Sequence, residues 1–335
     1  MEWRVKYIFN FPEDITWHNG YAHFGFHDYK GNFYVLRHED NWFGEFTKDN
    51  EFLWTAGSTN PKLCDTHMFF NLKKPTYVSR STKNDALIIS SMGNKKIYKF
   101  VPDEKKFDEF IDMEVLGAKD IGNCVFDNDD NIWINEITGC KIWQFDSQGK
   151  KKRVLGNGEP GFQIDPVSYD EARFSWIYDI RIGPNNNLYV LDSGNYSVRM
   201  VDINEEIVET IVGTGESGYL GDGKTAKKAI LGSDKNEQFD GPWAMTLDEE
   251  GTIFIGDTQN HVVRMVEKKK KKRIISTILG NPDYTPSLRN SVDETDPFKI
   301  NLPKICSMDY YDNKLFIPEF DGDLIVLEKV VEKTK

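Results

Sequence analysis

Two segments of this chain carry one pattern, and its recurrence constrains the fold more than any other feature. Residues 187–201 read NLYVLDSGNYSVRMV and residues 252–266 read TIFIGDTQNHVVRMV. In each, an apolar run ends in an aspartate (Asp192, Asp257) and a polar turn reaches an asparagine (Asn195, Asn260). A second apolar run then carries an arginine (Arg199, Arg264). The pattern predicts strand, tight turn, strand, with another strand and a Gly/Asn-rich turn ahead of it. Such a unit cannot bury its faces alone, so several copies must stack around a shared core.

Fainter copies fall in register. The second strands of successive units are expected to begin near Asn32, Asp85, Asn131, Asn187, Thr252 and Lys314. Six units fill the chain as one domain over residues 1–335, which predicts an all-β, six-bladed β-propeller. Five or seven blades are the alternatives left by the decayed first and last units. The last unit offers three strands before a charged tail at 329–335, while the alternating run Trp3–Phe11 belongs to no complete unit. That run is expected to be the outer strand of the last blade, closing the ring and hiding two strand edges.

Composition narrows function by exclusion. A net charge of −12 argues against nucleic acid as the main partner. The one basic run, Lys268–Arg273, reads as a solvated hairpin tip, with a local phosphate or nucleic-acid patch as the alternative. No apolar stretch approaches the roughly 20 residues of a membrane span, and no signal-type N-terminus is present, so the expectation is a cytoplasmic protein without a membrane partner. Cys64, Cys124, Cys140 and Cys306 fall in separate units without metal-type spacing and are expected to be reduced.

The units resemble NHL repeats. Pro242, Ala244 and Asp248, then Gly251, Phe254 and Ile255, then Asp257, Thr258, Asn260, His261 and Arg264 follow the repeat's pattern. Gly213–Gly223 with Ala226 and Ala229 resembles the blade-joining loop of many such proteins, and Gly156–Gly161 with Ala172 repeats it less closely. The resemblance implies a six-bladed propeller. It implies no single activity, because relatives include RNA readers, protein scaffolds, lactonases and lyases.

In an up-down-up-down blade, the second-to-third turns and the blade-to-blade loops share one face, here called face X. The long loops at 213–239, 156–174 and 280–302 all lie there, and long loops on a rigid scaffold usually carry function. Aligning the inner strands places Phe24, Tyr77, Asn123, Asp179, Ala244 and Ile305 at one channel level. His23, Thr76, Gly122, Tyr178, Trp243 and Lys304 stand one residue earlier. The candidate ligand-binding residues are therefore His23, Tyr77, Asn123, Trp176, Tyr178, Asp179, Trp243 and Lys304. Trp176, Tyr178 and Trp243 are expected to form one aromatic wall near Asp179, Glu136 and Asp257, suited to a ligand with a ring-like body and a polar or cationic group.

Asp192 and Asp257 occupy the repeat's own aspartate position, expected to accept backbone N–H groups of the following turn. Glu136 and Glu319 take the same place in other units, and with Asp179 they are the catalytic candidates. Asn123 and Asp179 form either a water-linked polar plug or a site for a substrate's polar group or a divalent cation such as Ca²⁺. A zinc site is disfavoured: His23 and His27, four apart on a strand, stand about 13 Å from each other. The GKT at Gly223–Thr225 lacks the spacing and strand context of a phosphate loop. Two function classes follow. One is a module binding a small molecule or protein on face X; the other is a lyase, hydrolase or condensing enzyme of the lactonase or strictosidine-synthase type using the central pocket.

Overall fold

All six second strands begin within two residues of their expected positions. The computed structural model describes residues 2–10, 22–26, 32–47, 51–163, 165–233, 240–283, 290–291, 294–318 and 323–330. β1 (Glu2–Asn10) is set aside for the last blade. Blade 1 holds β2 (Ala22–Phe26), β3 (Phe33–Arg37), β4 (Trp42–Phe46), β5 (Phe52–Gly57) and a short parallel β6 (His67–Phe69). Blade 2 holds β7 (Pro75–Arg80), β8 (Leu87–Ser91), β9 (Lys96–Val101) and β10 (Lys106–Asp112). Blade 3 holds β11 (Cys124–Phe126), β12 (Ile132–Glu136), β13 (Lys141–Phe145) and β14 (Lys151–Leu155).

In blade 4 a two-residue strand, β15 (Val167–Ser168), edges β16 (Ile177–Ile182), β17 (Leu188–Asp192), β18 (Ser197–Asp202) and β19 (Ile207–Val212). Blade 5 holds β20 (Ala244–Leu247), β21 (Ile253–Asp257), β22 (Val262–Lys269) and β23 (Lys272–Gly280). Blade 6 holds β24 (Asp309–Tyr311), β25 (Lys314–Pro318), β26 (Asp323–Val330) and, as its outer strand, β1. The N-terminal strand thus closes the ring. β26 runs through Lys329 and Val330, two residues into the stretch expected to be tail, because they pair with Trp3 and Glu2. Blade 6 also departs at its inner strand: only Asp309–Tyr311 is strand, whereas one was expected from Lys304.

Six blades follow from packing as well as from strand count. The buried apolar residues fall into six clusters, and each lies between neighbouring blades. Trp133 and Ile142 of blade 3 meet Ile180 and Val190 of blade 4; Val35 and Phe46 of blade 1 meet Phe316 and Val326 of blade 6. No blade boundary lacks its cluster, so the ring is continuous. Cys64, Cys124, Cys140 and Cys306 are free; Cys124 and Cys140 share blade 3 rather than lying in separate units, and burial pushes the Cys124 and Cys306 thiols up. Among the described residues, no helix is long and apolar enough to cross a membrane.

One backbone device repeats at face X. The residue before the third strand of blades 1 to 5 takes a left-handed conformation: Asn41, Lys95, Cys140, Tyr196 and His261, with φ between 47° and 58°. Its carbonyl faces the end of the fourth strand. In four of these blades that place is a glycine with positive φ: Gly57, Gly156, Gly213 and Gly280. A Cβ there would lie 2.2–2.5 Å from that carbonyl oxygen, so only glycine fits. These glycines launch the long loops.

Candidate functional site

The repeat aspartates hold the loops down. Asp192 accepts Ser175 N at 2.7 Å and Asn195 Nδ2 at 2.8 Å, with Arg199 Nη1 at 3.5 Å. Asp257 accepts Gly232 N at 2.8 Å and Asn260 Nδ2 at 3.0 Å, with Arg264 Nη1 at 3.5 Å. The backbone donor comes from the incoming blade-to-blade loop, not from the following turn as expected. Both carboxylates are wholly buried, at 0% exposure.

Glu136 plays the same part. Its two oxygens accept Lys119 N at 2.9 Å from the incoming loop and Trp143 Nε1 at 2.5 Å from the third strand. Trp143 stands seven residues on, where blades 4 and 5 place Arg199 and Arg264. Glu136 is 1% exposed, so it does not face the channel mouth. Of the other catalytic candidates, Glu319 lies outside the described residues. The backbone of His23 lies on β2, opposite Leu36.

The channel joins Asn123 and Asp179 as expected. Asn123 Nδ2 donates to Asp179 Oδ1 at 2.6 Å, and Met245 N donates to Oδ2 at 3.1 Å. Arg181 then adds what the sequence reading missed: its Nη1 reaches Asp179 Oδ1 at 2.6 Å, and its guanidinium lies 4.2 Å from the centre of the Tyr77 ring. Residues two apart on a strand share a side, so the Asp-Ile-Arg run of β16 carried that signal. The oxygen considered for a divalent cation meets a guanidinium instead. Among the described residues, no group of three or more His, Cys, Asp or Glu gathers as a metal site.

Burial pushes the Asp179 carboxyl up to about 6, against the opposite pull of Arg181, Met245 N and Asn123. An acid whose folded value is raised favours the fold when protonated. Its contribution is full below about pH 4 and is lost as pH rises to about 6. Stability measured by urea unfolding should carry a component of order 2–3 kcal/mol falling across that window. Asp179→Asn should remove that component; an unchanged pH profile in the variant refutes the assignment.

The aromatic wall assembles. Tyr178 and Trp243 stack with ring centroids 5.7 Å apart and planes 9° apart, and Lys304 Nζ lies 5.4 Å over the Trp243 ring. With Trp176 they line a pocket of about 220 Å3 between blades 4 and 5. Ser175, Ser193, Tyr196 and Asp240 complete its lining, and Tyr196 donates to Asp240 Oδ1 at 2.8 Å. The pocket's acid is therefore Asp240, whereas Glu136 and Asp257 are buried within their blades. Nothing in the local sequence flagged Asp240, because it sits in a loop rather than on a strand. Trp176 has φ of 50°, a conformation costly for a bulky side chain and concentrated at functional sites.

No protein-family model matches the chain. A stretch of 145 residues, 41% of the chain, is 24% identical to protein SUPPRESSOR OF QUENCHING 1, chloroplastic, of Arabidopsis thaliana. Another of 119 residues, 35% of the chain, is 29% identical to NHL repeat-containing protein 2 of Gallus gallus. These matches cover only 13% and 15% of the two relatives' lengths. Among solved structures, virginiamycin B lyase from Staphylococcus aureus superposes with a TM-score of 0.59 at 12% identity, over 98% of this chain and 100% of that one. An auxiliary nutrient binding protein from Bacteroides thetaiotaomicron gives 0.62 at 13% identity, over 92% of this chain and 69% of that one. The chain is thus a six-bladed propeller, and over about a third of its length it has a weak likeness to an NHL repeat-containing protein. A lyase and a binding protein share its fold, so the fold leaves its activity open.

Proposed function

We propose that this propeller is a binding module that takes a small ligand in the face X pocket between blades 4 and 5. The observation that carries the reading is the Tyr178–Trp243 stack beside Trp176 and Asp240 around a cavity of about 220 Å3. Lys304 already supplies a cation to the Trp243 ring. A ligand's own positive charge therefore belongs beside Asp240, with its flat or apolar body against the rings. Binding is favoured over catalysis because the described candidate acids are engaged: both oxygens of Glu136 and of Asp179 accept hydrogen bonds. A reducing, cytoplasmic setting belongs to the same proposal, supported by four free thiols, of which Cys124, Cys140 and Cys306 are buried.

Benzyltrimethylammonium, a ring bearing a fixed cation, is a suitable probe. It should quench tryptophan fluorescence saturably. Trp243→Ala should weaken it by tenfold or more, since a ring contact of 1–2 kcal/mol corresponds to about that factor. Asp240→Asn should weaken this probe while sparing neutral benzyl alcohol. Trp243 is 7% exposed. Should its alanine variant lose the 3–5 kcal/mol of a core tryptophan without changing probe affinity, the ring is packing and the reading fails.

A further inference from the structure

The channel continues past the Asn123–Asp179 pair toward the face of short turns. There a second cavity, of about 180 Å3, is enclosed by residues from five blades. Its polar groups are Arg181, Asp309, Tyr77, Ser79 and Thr246. Arg181 is only 6% exposed, and its Nε has no hydrogen-bond partner. A charged donor left in that state is costly, so an acceptor that fits the cavity is strongly favoured. Nη1 is held by Asp179 and Nη2 lies 3.5 Å from Met308 O, so the stack on Tyr77 leaves Nε for an in-plane hydrogen bond to a carboxylate.

Opposite charge stands in the same cavity. Asp309, 7% exposed, accepts Tyr310 N at 2.9 Å, and Thr246 Oγ1 lies 3.4 Å from it. Among the described residues the remaining wall is apolar: Val125, Phe126, Ile182 and Leu247. Phe126, Ile182 and Leu247 are half-buried, at the outer ends of their inner strands, and so form a rim. Among the described residues the cavity thus offers one cation, one anion, three hydroxyls and an apolar edge. At roughly 30 Å3 per water, its volume of about 180 Å3 equals about six waters, which limits the occupant to a molecule the size of a small amino acid.

We infer that this chamber binds a small zwitterion with a short apolar end, of the free α-amino-acid class. The carboxylate meets Arg181, the ammonium meets Asp309, and the apolar chain lies along Leu247 and Ile182. The site is separate from the face X pocket and does not depend on it.

L-valine, isobutylamine and 3-methylbutanoate are the probes; the last two are valine without its carboxylate and without its amine. Calorimetric titration should show valine binding at least tenfold tighter than either fragment, with a matching rise in melting temperature. Saturating benzyltrimethylammonium should leave valine affinity unchanged, which separates this site from the pocket on face X. Leu247→Trp, which fills the chamber from its rim, should abolish valine binding while unfolding remains cooperative. If that variant does not fold, Thr246→Val, which removes a hydroxyl at constant shape, should weaken valine instead. Valine that binds no better than its fragments, or undiminished binding to a folded Leu247→Trp variant, overturns the inference.

Discussion

Removing residues 1–10 should abolish cooperative unfolding. β1 pairs with β26 from Glu2↔Val330 to Asn10↔Asp323. Trp3 and Val5, 6% and 2% exposed, belong to the cluster between blades 5 and 6, where Trp3 meets Phe254 edge-on at 5.5 Å. Losing one buried tryptophan costs about 3–5 kcal/mol. The valine and the strand ladder add to this, against a total domain stability of only about 5–15 kcal/mol. The deletion would also bare the edge of β26, whose Leu324–Leu327 run is apolar and suited to intermolecular pairing. The expected result is a broad, non-cooperative urea transition with aggregation on size-exclusion chromatography. Removal of residues 331–335, beyond β26, is the matched control and should leave the transition in place. A chain lacking residues 1–10 that unfolds like its parent would show that the ring does not need this strand.

Much of this architecture could be read from the chain because it is written once per blade. The second strands, the loop-launching Gly156, Gly213 and Gly280, and the N-terminal closure all rest on local pattern. The left-handed position at the second-to-third turn was not legible. Asn, Lys, Cys, Tyr and His fill it in blades 1 to 5, and what they share is a backbone conformation rather than a residue type. Among the site residues, Asn123 with Asp179 and the ring trio could be placed by strand alternation. Glu136 was misread as facing the mouth, because its role depends on Trp143 across the sheet and on Lys119 in a loop. Arg181 could have been read from its spacing to Asp179. Asp240 could not, since loop geometry carries it into the pocket.

The largest contrast between equivalent positions concerns Arg199 and Arg264. Both are 0% exposed, and the loops that cover them, 156–175 and 213–232, align without a gap. In blade 5, Asp222 receives Arg264 through Nε at 3.1 Å and Nη2 at 2.7 Å, and Leu220 O lies 3.2 Å from Nη2. In blade 4, the aligned Asp165 instead accepts Thr210 Oγ1 and lies 3.7 Å from Lys227 Nζ, leaving Arg199 Nε and Nη2 without acceptors. The flanking residues give the reason. Gly221 and Gly223 take φ of 110° and 75° around Asp222, whereas Pro166 stands where Gly223 would. Proline is locked near −65°, so blade 4 cannot copy that turn. Arg264→Met should therefore cost about 3–5 kcal/mol, because it releases Asp222 and Leu220 O together and takes the cation from the buried Asp257, which keeps only Gly232 N and Asn260. Arg199→Met also takes Nη1 from Asp192, which keeps Ser175 N and Asn195, but the Nε and Nη2 donors that it removes had no acceptor. Its cost should be smaller by about 2 kcal/mol or more, since an under-satisfied buried charge returns part of its desolvation penalty when replaced by an apolar side chain. Urea midpoints for the two variants, at equal slope, decide the matter. Equal losses would mean that the loop of blade 4 holds its arginine as firmly as the loop of blade 5 holds its own.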